Sequence, residues 1–181
     1  MSRYVRIALA LGLSAIVVSL TASACGSSTQ PSNNPPAATK PTFTASLSPA
    51  NENPSITNAE STGSGSVTIT FNLTKDAAGT ITAATADFAA TFTGFPAGTS
   101  LTAAHIHTGG STTNGAVLVN TAISAGEITM PTGTGALNKT GITMTVDQAN
   151  NIMNNPAGFY FNIHTALNPG GVARGQLNRT Q

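Results

Sequence analysis

From residue 42 onward, apolar and polar positions alternate along the chain. The clearest run is Ser66-Val67-Thr68-Ile69-Thr70-Phe71-Asn72-Leu73. A period of two predicts a strand with one buried face. Lys75-Asp76-Ala77-Ala78-Gly79 reads as the following turn. Residues 80–92 read as the hairpin partner, with Phe88 and Phe92 in the core. Residues 94–98 form a second turn, 100–108 a strand, 109–115 a loop, and 116–123 a strand with Val117 and Val119 on one face. Segments 42–47, 142–145, 158–164 and 172–178 complete the set. One helix is expected after Thr145, because Thr145 and Gln148 have the spacing of a capping box. Ala149, Ile152 and Met153 then recur at helical spacing, and Pro156 ends the segment. Short strands separated by Gly and Pro turns predict a single all-β domain over residues 42–179, a sandwich or barrel with one short helix.

Residues 1–41 follow no such pattern. Arg3 and Arg6 precede a nearly unbroken apolar run over residues 7–20. That run is short for a membrane span, which needs about 20 residues, and suits the apolar part of an export signal. Small residues, Thr21-Ala22-Ser23-Ala24, then lead into Cys25, the one Cys of the chain. This arrangement resembles a bacterial lipobox, although Ala22 stands where Leu is usual. The resemblance implies a signal peptide over residues 1–24, cleavage before Cys25, and lipid on the Cys25 sulfur and amine. Such lipid would anchor the protein to a membrane on the extracytoplasmic side, in the cell envelope. Ordinary signal cleavage, leaving Cys25 as a free thiol, is the plainer alternative. Residues 25–41, rich in Ser, Pro and Asn, read as a disordered tether.

Charge narrows the function classes. Only 7% of residues are charged, against about 25% in an ordinary domain. Seven Lys+Arg face six Asp+Glu, and loss of Arg3 and Arg6 with the signal leaves five against six. This excludes a basic nucleic-acid binder. No Cys remains as a nucleophile in the domain, and there is no G-x-S-x-G elbow. There is no Trp, and Tyr160 is the one Tyr outside the signal, which argues against a sugar-binding aromatic platform.

The candidate chemistry lies in the three His. In His105-Ile106-His107 the two imidazoles share one strand face, with Cα atoms about 6.6 Å apart. In Phe159-Tyr160-Phe161-Asn162-Ile163-His164, the apolar residues take one face and Tyr160, Asn162 and His164 the other. Pairing of these strands would set His164 beside His105 and His107. Three imidazoles with an open position suit Zn²⁺ or Cu²⁺. Asn162, Glu52 and Asp87 are candidate supporting groups. The structural alternative is that each His simply bonds a loop carbonyl. Arg174, rare in so uncharged a chain, would tie a carboxylate or several carbonyls, with Glu52 the preferred partner. Gly175 fits a close backbone approach or a bulge.

In order along the chain, the segments Leu47-Ser48-Pro49-Ala50-Asn51-Glu52-Asn53-Pro54, Ala103-Ala104-His105-Ile106-His107, Tyr160-Phe161-Asn162-Ile163-His164-Thr165 and Pro169-Gly170-Gly171-Val172-Ala173-Arg174-Gly175-Gln176-Leu177 resemble the CHRD domain, the module named from chordin. Asn53 stands where that family favours Val, and Val172-Ala173 where an acid often precedes the Arg. The resemblance implies an immunoglobulin-like antiparallel β-sandwich in an extracellular setting. It also implies a non-enzymatic binding or envelope and matrix module, with an extracellular protein as partner. The alternative is a Cu or Zn protein built on His105, His107 and His164, serving metal storage or redox chemistry.

Overall fold

The alternation that begins at Ser66 runs further in space than in the hydropathy pattern. A computed structural model describes residues 39–181; the expected signal, Cys25 and nearly all of the tether lie outside the described residues. Strands β1 (Thr42–Leu47), β2 (Ser64–Lys75) and β3 (Ile81–Thr93) form an antiparallel meander. The β2–β3 turn is closed by Asp76, whose Oδ1 accepts from the Ala78 and Thr80 amides at 2.9 Å. Gly79 supplies the left-handed φ of 85° that this turn requires.

Seven further strands follow. They are β4 (Thr99–Thr108), β5 (Val117–Asn120), β6 (Thr129–Met130), β7 (Gly135–Met144), β8 (Phe159–Thr165), β9 (Ala173–Gln176) and β10 (Asn178–Arg179). Helix α1 (Val146–Asn154) sits between β7 and β8. Its capping box is complete: Thr145 Oγ1 accepts from the Gln148 amide, and Gln148 Oε1 accepts from the Thr145 amide. One sheet has the order β10-β1-β2-β3-β7 and the other β5-β4-β8-β9, with β6 paired to the start of β4. An antiparallel bridge between Ser48 and Arg174 links the end of β1 to β9.

The sheets face each other across Phe43, Ile69, Phe71 and Phe88 on one side and Leu101, Ile106, Phe161 and Ile163 on the other, all essentially inaccessible to solvent. Phe88 and Phe161 meet across the interface with ring centroids 5.9 Å apart. Each such side chain contributes about 1.5–3 kcal/mol by leaving water. Ala149 and Ile152 of α1 extend this core. The architecture is the expected all-β antiparallel sandwich with one short helix. Among the described residues no helix is long and apolar enough to cross a membrane.

Several expected boundaries change. The strand expected over 116–123 shrinks to β5, and a register shift opposite Ile106 and His107 leaves Val117 half exposed while Val119 enters the core. Residues 142–144 are the end of the longer β7, whose middle residues Asn138, Lys139 and Thr140 conceal the pattern, and Thr145 caps α1. The strand expected over 172–178 divides, because β9 stays in the second sheet while β10 crosses to pair with β1. Gly175 is the close approach foreseen, since a Cβ there would run into the Ser46 carbonyl.

Candidate metal centre

Strands β4 and β8 pair directly, with His105 opposite Asn162 and His107 opposite Tyr160. The face of β4 and β8 that points away from the sandwich core therefore carries His105, His107, Tyr160, Asn162 and His164 together. Arg174 of β9 lies opposite Asn162 and joins the same face. Alternation alone would leave this face in water. Instead, every residue of β8 is buried. Three segments, near residues 49–54, 109–115 and 165–171, supply the contacts that enclose it.

The nitrogens of His105, His107 and His164 available to a ligand all lie within 4.8 Å of one another. His105 Nδ1 and His164 Nε2 are already 3.2 Å apart. In a tetrahedral zinc site, ligand nitrogens sit about 3.3 Å apart, given Zn–N bonds of about 2.05 Å. Modest side-chain rotations would bring the triad onto one ion.

The tautomers follow from the neighbours. His164 Nδ1 is 3.0 Å from the Pro169 carbonyl, and His107 Nδ1 is 3.0 Å from the Gly115 carbonyl. A carbonyl only accepts, so both Nδ1 atoms carry hydrogen and both Nε2 lone pairs point elsewhere. His107 Nε2 is buried and has no partner. Metal-bound imidazoles are commonly oriented in this way, with the second nitrogen donating to a carbonyl.

Burial lowers the affinity of all three imidazoles for a proton. His105 falls to about 4, through burial first and then the neighbouring His164 and His107. His107 is lowered by burial and by Arg174 against the opposing Gly115 carbonyl, and His164 by burial and His107 against the Pro169 carbonyl. The triad is thus neutral at pH 7, the state in which imidazole binds metals.

Arg174 is 1% exposed and makes its bonds to the loops. Its Nε donates to the Asn51 carbonyl at 2.6 Å, Nη1 to Asn114 Oδ1 at 2.8 Å and the Thr113 carbonyl at 3.3 Å, and Nη2 to the Ser111 carbonyl at 2.9 Å. The expected contact with Glu52 is not formed. Four loop oxygens fill the guanidinium fork, and among the described residues the ion pair in contact is Lys139–Glu127. Arg174 also lies over the Tyr160 ring, 4.7 Å from its centroid, and Tyr160 stacks on His107 at 5.0 Å and 7°.

Glu52 is nevertheless part of the enclosed face, 9% exposed, and its carboxyl is raised to about 7 by burial, which outweighs the lowering effect of Arg174. Asp87 is not: it lies on β3 of the other sheet, accepting from Asn72 Nδ2 and the Gly141 amide. The two carbonyls that orient His107 and His164, from Gly115 and Pro169, were not foreseen. Their signal was the turn-forming Asn114-Gly115 and Pro169-Gly170-Gly171 beside the two His segments. Buried Glu60 was also missed. Its Oε2 accepts from Thr165 Oγ1 at 2.6 Å and Asn168 Nδ2 at 2.5 Å, fixing the turn that presents the Pro169 carbonyl.

An antiparallel two-sheet sandwich with one polar face enclosed by loops thus defines the module. The family model of the CHRD domain matches residues 43–177, and the chain belongs to that family. No curated protein and no solved structure matches the chain.

Proposed function

We propose that this CHRD protein is an exported, lipid-anchored binding module of the cell envelope that holds one Cu²⁺ or Zn²⁺ ion on His105, His107 and His164. The observation that carries the metal reading is the buried, unpartnered Nε2 of His107, set among three neutral imidazole nitrogens within 4.8 Å. A purely structural histidine cluster would satisfy both nitrogens of each buried ring, because a buried acceptor without a donor costs about 1–3 kcal/mol. Two of the three rings are also oriented by carbonyls, which leaves Nε2 as the ligand atom. Imidazole donors favour Cu²⁺ and Zn²⁺ over the hard cations Mg²⁺ and Ca²⁺. Export and attachment through lipid on Cys25 rest on the pattern of residues 1–25. Anchoring would present the domain to an extracellular protein partner from outside the membrane.

The test is metal content of the chain purified without a histidine tag, followed by titration with Zn²⁺ and Cu²⁺. The expected result is one ion per chain, lost in His105→Ala. No uptake at micromolar metal, or equal uptake by His105→Ala, would leave the three His as a structural cluster.

A further inference from the structure

His107 Nε2 is not alone. Two other buried acceptors on this face have no donor, Glu52 Oε1 and Asn162 Oδ1. Asn162 is 2% exposed, stands directly across from His105, and precedes His164 by two residues on the same strand face. Glu52 approaches the Asn162 amide from the loop. A Cβ on Gly171 would stand 2.5 Å from Asn162 Nδ2 and 3.0 Å from both Asn162 Oδ1 and Glu52 Oε2. Gly171, at φ 134°, therefore leaves room for the carboxyl and the amide to come together.

The face thus joins three nitrogen ligands to Asn162 Oδ1, which only accepts, and to the Glu52 carboxyl, which becomes acceptor-only once the charge of a bound divalent ion has driven off its proton. Four of the five Arg174 N–H groups are taken by loop oxygens, so the guanidinium acts on this face mainly through its charge, which is felt at Glu52 and His107. A ligand on the metal that carries O–H or N–H would satisfy both oxygens. An anion with lone pairs and no hydrogen would face them unpaired, in a setting of low polarity where that repulsion is poorly screened.

We propose that Glu52 and Asn162 make this a site for a small neutral hydrogen-bond donor on the metal, water in the resting protein, and exclude anions that only accept. The inference rests on the three-histidine metal reading and names the class of ligand that the metal's open position takes.

The probe is azide, added to the chain loaded with one Cu²⁺ and followed by its charge-transfer band. Wild type is expected to bind azide at least ten-fold more weakly than Glu52→Gln, whose amide supplies a donor and removes the negative charge. Equal azide affinity in the two proteins, or tighter binding by wild type, overturns the inference while leaving the metal reading intact. Failure of wild type to take up Cu²⁺ overturns both. A second measurement needs no variant: electron–nuclear double resonance of the copper-loaded wild type is expected to show, besides the weaker couplings of the imidazole N–H protons, the strong proton couplings of a directly bound O–H, which vanish in D₂O. A spectrum without those strong exchangeable couplings would mean that no donor sits on the metal, and would overturn the inference even where Glu52→Gln fails to fold.

Discussion

The two sheets have the same alternation and opposite fates for their polar faces. In β2 and β3 the outward positions, such as Thr68, Ala89 and Thr91, are exposed, and hydroxyls such as Ser66 and Thr91 pair with one another at the surface. In β8 the outward positions are Tyr160, Asn162 and His164, each less than 10% exposed. The first face needs only water to satisfy its polar groups. The second must find every partner within the protein, and does so through loop carbonyls, the Arg174 fork and the His–His contact. Where it finds none, at His107, Asn162 and Glu52, the groups cluster. Enclosure of polar residues is costly unless they are paired, so a face that is enclosed and incompletely paired marks a site, while a solvated face of the same pattern marks a surface.

The sharpest way to break this comparison is to remove the residue that holds the loops down. Arg174→Ala would strip donors from the Asn51, Ser111 and Thr113 carbonyls and from Asn114. Hydrogen bonds to charged groups contribute about 1.5–3 kcal/mol each, and water entering the opened face returns part of that. The expected loss is on the order of 3–5 kcal/mol, measured by urea unfolding. A loss below about 1 kcal/mol would mean that the loops close the face without Arg174.

How much of this was legible in the sequence follows from the same contrast. Which residues share a face is a matter of period two, so His105, His107, Asn162 and His164 could be placed together from the sequence. Whether that face is wet or dry depends on where long loops fold back, and no local pattern reports it. The expected Glu52–Arg174 contact failed for this reason. A carboxylate and a guanidinium in an uncharged chain look like partners, yet loop carbonyls can fill the same fork and escape notice because every residue has one. Short edge strands were missed on similar grounds. The two residues of β6 are too few to show a period, and they are held by pairing with Thr99 and Ser100 of β4.

A second and smaller effect is expected from pH in the metal-free protein. The unfolded chain's histidines gain protons as pH falls through about 6.5, while folded His105 resists until about 4. Between those values the unfolded state binds more protons, so stability falls on acidification. His107 and His164, also lowered, act in the same direction. Glu52 acts in the opposite one. Its folded carboxyl is raised from 4.5 to about 7, so its contribution is complete below 4.5 and is lost as pH rises through 7. Three imidazoles against one carboxyl give a net fall in thermal midpoint from pH 6.5 to 4.5, steeper in Glu52→Gln. A midpoint that stays flat or rises over that range would mean that the folded face accepts charge freely and is not dry.

The smallest effect belongs to the other sheet and serves as the control. Arg179 ends the chain's last strand on the edge of the first sheet, exposed, with Nε donating to the Gln181 carbonyl at 2.7 Å. That acceptor is two residues away and open to water, so its loss is made good by solvent. Arg179→Ala is therefore expected to change stability by no more than about 0.5 kcal/mol in the same urea experiment. Two arginines in adjacent strands of sequence, β9 and β10, would then differ by several-fold in their effect on folding. Equal losses at Arg174 and Arg179 would remove the distinction between an enclosed and a solvated face on which the site assignment stands.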